Sequence, residues 1–241
     1  QGRKKESSIR EDKRLLDNVI LPAMRHRRVD DISRADISKI HSSLSGTPYK
    51  ANRFLALASK MFNLAEEWGY RQEYSNPVRH VKKYPERGRD RFLSSEEYKR
   101  LGEALAEAEK EKTVPQSAID VVRVLTLTGC RKSEILTLRW DYVDFERACL
   151  FLPDSKTGAK TVVISQQVLM ILKGIKEKKG NPYVFPGRKE GSFLKNLQIS
   201  WNEIRNNAEL KDVRIHDLRH SYISVGIAMG ESLYVVGKSV G

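Results

Sequence analysis

The chain has 241 residues, 44 of them Lys or Arg and 31 Asp or Glu, for a net charge of +13, and 39% are hydrophobic. That composition supports packed cores in one or two domains and excludes a chain dominated by disorder. No apolar run is long enough to cross a bilayer and no signal segment is visible, so a cytoplasmic location and no membrane partner are expected.

Up to about residue 80 every periodic segment reads as helix. Residues 8–21 carry Ile9, Leu15, Leu16, Val19 and Ile20 at helical spacing, and Pro22 limits the end. Ser33, with Asp36 three residues on, caps a second helix whose apolar stripe is Ile37, Ile40 and Leu44. A third opens at Thr47-Pro48, passes through Leu55, Ala58, Met61, Phe62, Ala65 and Trp68, and closes at Gly69. The composition then turns to Pro, Gly and basic side chains. This divides the chain into a helical domain over residues 1–80, a basic linker over 81–92 and a second domain over 93–241.

Residues 1–90 have a net charge of +8 and residues 91–241 of +5, so the smaller half is the more basic. A solvated basic face has the same composition, but together with the linker it suits a clamp around a duplex. Arg53, Lys60, Lys82, Lys83, Arg87 and Arg89 are candidate DNA contacts there, and Lys132 and Lys160 in the second domain. Beyond the linker, Ser94 or Ser95 caps a helix through about Lys110, Pro115 begins another that stops at Gly129, and a short one covers 132–138. Strands at 148–152 and 161–164 flank a basic turn over 153–160. Helices near 166–178, 193–208, 217–229 and 232–238 complete a fold that is mainly α with a small β-hairpin. Cys130 and Cys149 are too few and too far apart for a structural zinc site and are expected as buried thiols.

Two stretches carry chemistry. In T-G-C-R-K-S-E-I at 128–135, Arg131 stands where one helix has stopped and the next begins, and Glu134 is placed to orient it. In R-I-H-D-L-R-H-S at 214–221, His216 and Arg219 are three apart at a helix start, where free N–H groups and the macrodipole favour an anion. Arg219 offers a fork for phosphate and His216 a donor or proton carrier, with Asp217 and His220 as supports. His216 and His220 also have the spacing of a zinc-binding helix, but Asp217 is shorter than the usual Glu and no third ligand is evident, so no metal site is expected.

The ordered set, G-C-R-K-S-E-I, then a lysine-tipped hairpin, then H-D-L-R-H, resembles the tyrosine site-specific recombinase, or phage integrase, family. The resemblance implies a helical core-binding domain followed by a mixed α/β catalytic domain. It implies that Arg131, Lys156, His216 and Arg219 surround a scissile phosphate. It implies attack by a tyrosine, a 3′-phosphotyrosyl intermediate and religation without ATP. Two arginines and a histidine stabilise the phosphorane charge without metal or other cofactor, and Lys156 protonates the leaving 5′ oxygen, with Lys160 a weaker claimant. Double-stranded attachment sites of a phage or other mobile element, a homotetramer at synapsis, and accessory DNA-bending or directionality proteins are the partners such a family implies.

One part of the pattern is unmatched. The family's Gly-His or Gly-Trp step and its nucleophile are expected beyond Val240-Gly241, while Tyr222 and Tyr234 are expected as packing residues. The 241 residues alone are therefore expected to bind duplex DNA without forming a covalent adduct. The competing reading is a noncatalytic DNA-binding regulator that keeps the fold.

Overall fold

The computed structural model describes residue 4, residues 6–86, 88–155 and 158–230, and residues 232 and 237. They fall into two compact units, Gln1–Gly88 and Arg89–Gly241.

In the first unit, α1 (Glu6–Leu15) runs through a π-helical turn, Leu16–Ile20, into α2 (Leu21–Met24). Pro22 therefore does not end the helix where the sequence places its limit. A proline lacks the N–H that would bond the carbonyl one turn earlier, and its ring clashes with that carbonyl; the widened turn before it removes both problems. The Ser33–Asp36 capping box expected for α3 (Arg34–Ser43) is present, with Ser33 N–H donating to the Asp36 carboxylate at 2.8 Å. Ser33 and Arg27 hold that carboxyl at about 2. α4 (Pro48–Glu67) buries Ala51, Phe54, Leu55, Ala58, Phe62 and Ala65, and of these Phe54, Leu55, Ala58 and Phe62 pack with Val19, Ile20, Ile37 and Val78 into one core. Each fully buried Phe or Leu contributes about 2–3 kcal/mol.

The second unit opens with α5 (Ser95–Lys110), capped by Ser94, and α6 (Gln116–Thr128), which ends at Gly129 in the left-handed conformation, φ 61°. α7 (Lys132–Leu136) follows directly. A three-stranded antiparallel sheet has the order β1 (Val143–Asp144), β2 (Cys149–Ser155), β3 (Gly158–Val163), with Leu152 opposite Lys160. The strand β1 is too short to leave a periodic signal. α8 (Gln166–Gly174) stops four residues earlier than its sequence pattern, because residues 176–179 offer no apolar side chain to hold another turn on the core. α9 (Leu197–Asn207) begins later than expected, since Phe193 forms a bridge with Pro186 instead. Fully buried Trp201 on α9 donates its indole N–H to the Val213 carbonyl at 3.3 Å and so fixes the approach to α10 (Ile215–Ala228). The helix expected at 232–238 lies outside the described residues. Cys130 and Cys149 are buried free thiols. No helix among the described residues is long and apolar enough to cross a membrane.

Residues 81–92, expected as a linker, are bonded on both sides of residue 87. Tyr84 is hydrogen-bonded to Asn52 of α4 in the first unit. Arg91 in the second unit bonds Glu97 and Asp212, and Leu93 N–H donates to Ser221 Oγ at 2.8 Å.

Candidate active site

The break between α6 and α7 supplies the first cation. Gly129 turns the chain, Cys130 is buried, and Arg131 becomes the first residue outside α7. Its backbone N–H and its Nη1 both donate to the Glu134 carboxylate, at 2.8 and 2.9 Å. From β3, Lys160 Nζ reaches the same carboxylate at 3.0 Å, with side-chain exposures of 8% for Lys160 and 5% for Glu134. Burial alone would raise the Glu134 carboxyl, but the Arg131 N–H, the Lys160 ammonium and the Arg131 guanidinium together hold it below its ordinary value. Glu134 is thus an ionised buried hinge between two cations.

The second cation comes from α10. Asp217, almost fully buried, accepts from Arg214 N–H at 2.8 Å and from Arg89 Nε at 3.1 Å, closing a capping box at the helix start. Arg89 also donates to the Asp212 carbonyl. One turn into the helix, Arg219 is 8% exposed and its Nη1 donates to the Gly129 carbonyl at 2.9 Å, 90 positions earlier in the chain. That bond sets the α10 guanidinium beside the loop that presents Arg131. Burial, and then the positive charge of Arg131, lower the Arg219 pKa, though a guanidinium stays protonated throughout.

His216 is exposed by area yet crowded by protein atoms. Desolvation, His220 and Arg219 lower its pKa, with Arg131 adding to the effect, so the imidazole is neutral at pH 7. The His216 and His220 rings meet edge to face, 4.9 Å apart. Arg131, His216 and Arg219 therefore lie within one another's electrostatic reach although they come from a loop and a helix far apart in sequence. Bringing like charges together in a partly dry site is unfavourable, and an anion between them reverses the sign of that energy.

The remaining sequence candidates separate into two sets. Arg53 and Lys60, seven residues apart on one face of α4, are exposed, as are Lys82, Lys83 and Lys132. Arg89 and Lys160, also expected as DNA contacts, form ion pairs with buried carboxylates. Lys156, Arg87 and Tyr234 lie outside the described residues. Tyr222 is half-buried on α10. Among the described residues no three His, Cys, Asp or Glu side chains converge as a metal site would require. The Gly129 carbonyl as an anchor for Arg219, and Lys160 as a partner of Glu134, have no local signal in the sequence.

The family model of the phage integrase family matches residues 91–241. A shufflon-specific DNA recombinase of Escherichia coli is 30% identical over 218 residues, covering 85% of this chain, and the chain spans 53% of that recombinase's own length. A lambda integrase fragment, residues 75–356, solved as a dimer on a COC′ core site, superposes with a TM-score of 0.76 at 16% identity, covering 99% of this chain and 89% of that one. A lambda integrase tetramer on a Holliday junction gives 0.75 at 16% identity, covering 99% and 72%.

Proposed function

The chain belongs to the phage integrase family, and on that premise we propose that the full-length gene product grips duplex DNA and cuts and rejoins a phosphodiester through a 3′-phosphotyrosyl intermediate. What carries this reading is the convergence of Arg131, His216 and Arg219, with Arg219 anchored to the carbonyl of Gly129. In the proposed reaction a tyrosine oxygen bonds to phosphorus as the bond to the 5′ oxygen breaks. Charge on the nonbridging oxygens is met by the two guanidiniums, which Glu134 and the Gly129 carbonyl hold in place beforehand. Neutral His216 takes the phenol proton, and Lys156 supplies a proton to the leaving 5′ oxygen, which departs poorly as an alkoxide. The phosphotyrosyl bond keeps the phosphoester energy, so religation needs neither ATP nor another cofactor.

Around that chemistry, residues 1–80 serve as the core-type DNA-binding domain, 81–92 as the linker and 93–241 as the catalytic domain. Arg53, Lys60, Lys82, Lys83, Arg87 and Lys132 contact phosphates; Arg89 and Lys160 act mainly through Asp217 and Glu134. The targets are attachment sites of a mobile element, recombined in the cytoplasm at the nucleoid by a homotetramer and assisted by accessory DNA-bending or directionality proteins. A lambda integrase tetramer on a Holliday junction supports the oligomeric part of this reading.

The test is to incubate the full-length gene product with a pool of nicked suicide duplexes of randomised sequence in the presence of EDTA. A covalent protein–DNA adduct that survives denaturant, attached through a 3′ phosphate, is expected. Salt-dependent duplex binding with no adduct at any protein concentration contradicts the enzymatic reading.

A further inference from the structure

The linker begins as an ordered strap rather than a free tether, and one buried side chain holds it. Asn52 is 6% exposed on the inner face of α4, where an amide is costly to bury without partners. Its side-chain hydrogen bonds among the described residues go to one segment more than thirty residues away. Its Nδ2 donates to the Tyr84 carbonyl and to Glu86 Oε1, both at 2.8 Å, and its Oδ1 accepts from Tyr84 N–H at 2.9 Å. The Tyr84 ring stacks on buried His41 of α3, with centroids 4.3 Å apart and planes within 15°. Just before it, Asn76 is tied to Ser59 and Asn63 of α4, and Val78 lies in the core. Residues 76–86 are thus fixed to the first unit at both ends, and between the fixed points Lys82 and Lys83 stand exposed.

We infer that Asn52, with Tyr84 seated on His41, is a positioning device for DNA binding: it holds the strap so that Lys82 and Lys83 meet phosphates without first having to be ordered. Ordering a residue's backbone on binding costs conformational entropy, so a strap already ordered in the free protein spares the complex that cost. Asn52 itself touches no DNA. The inference rests on the reading of this chain as a duplex-binding protein.

The experiment is a double-mutant cycle with a fluorescein-labelled mixed-sequence duplex, read by anisotropy at fixed salt. Asn52→Ala is expected to raise Kd about tenfold in the wild-type background and to change nothing in a Lys82→Ala/Lys83→Ala background. Tyr84→Ala, which leaves α4 intact, follows the same pattern with a smaller effect and stands in should Asn52→Ala fail to fold. In hydrogen exchange, the Tyr84 amide is expected to lose protection in Asn52→Ala while the α4 amides keep theirs. Equal losses of affinity in both backgrounds, or no loss in either, overturn the inference. If the wild-type protein shows no salt-dependent duplex binding, the DNA-binding reading itself falls, and this outcome is separate from a failed cycle.

Discussion

The two units carry positive charge in opposite ways. In the first, Arg53, Lys60, Lys82 and Lys83 are exposed, on a helix face and on a strap held from below by Asn52. In the second, Arg219 and Lys160 are buried, and the cations are held by Glu134, Asp217 and the Gly129 carbonyl. Exposed charge in water gives long-range, salt-sensitive attraction of small energy per contact. Charge withdrawn from water and fixed in direction acts strongly on one group at short range. Under the proposed function, the first arrangement suits grip and the second suits chemistry.

Four sets of substitutions test that division. The largest expected effect is on the leaving-group step. Lys156→Ala in the full-length gene product is expected to slow suicide-substrate cleavage by about 10²–10⁴-fold while changing duplex Kd by less than about threefold. Comparable losses in both would mean that the hairpin lysine serves grip instead.

Next in size is Glu134→Gln, which leaves Arg131 and Lys160 facing a neutral amide. A loss of about 3 kcal/mol in urea-unfolding free energy is expected at pH 7. Because the folded carboxyl titrates below its ordinary value, the wild-type advantage is complete above pH 4.5 and is lost as pH falls through the folded value. An unchanged unfolding midpoint would contradict the role given to Glu134.

Arg89→Ala is expected to cost about 1–2 kcal/mol, since it strips one partner from the buried Asp217 carboxylate but removes a side chain that is itself partly exposed. It separates a stapling arginine from a DNA-contacting one. The slope of log Kd against log salt should stay at the wild-type value for Arg89→Ala. It should fall by about 1.8 for Lys82→Ala/Lys83→Ala, two phosphate contacts at about 0.9 each. A matching fall for Arg89→Ala would return it to the phosphate-contacting set.

The smallest effect concerns His216. Its folded pKa is depressed, so below pH 6.5 the unfolded chain binds a proton that the folded one resists. Stability of the wild type should therefore decline relative to His216→Asn as pH drops from 6.5 toward the folded value, with no difference from this source above 6.5. A melting-temperature difference independent of pH would show that the imidazole is not desolvated there.

Much of this was legible in sequence, because local patterns dictate local structure. Ser33 with Asp36 announced a capping box, Gly129 announced the stop that frees Arg131, and H-D-L-R marked the start of α10. The trio proposed to hold the phosphate is a matter of helix ends, which a sequence displays. What stayed hidden depends on partners far along the chain. Lys160 reads as another hairpin lysine until β3 pairing turns it toward Glu134. Arg89 reads as linker charge until Asp217, 128 residues on, accepts its hydrogen bond. Asn52 reads as an unremarkable polar residue in an apolar stripe. Pro22 misled for a different reason: the rule that proline ends a helix omits the wider turn that accommodates it.

The division of labour is tested most directly by measuring duplex Kd and the saturating yield of covalent adduct together, for Arg219→Ala and for Arg53→Ala/Lys60→Ala in the full-length gene product. Arg219→Ala is expected to keep Kd within about threefold and to lose about 10²–10³-fold in cleavage. The α4 pair is expected to weaken Kd and, once DNA is saturating, to cleave at the wild-type rate. If both proteins lose affinity and cleavage in parallel, the separation of grip from chemistry is wrong.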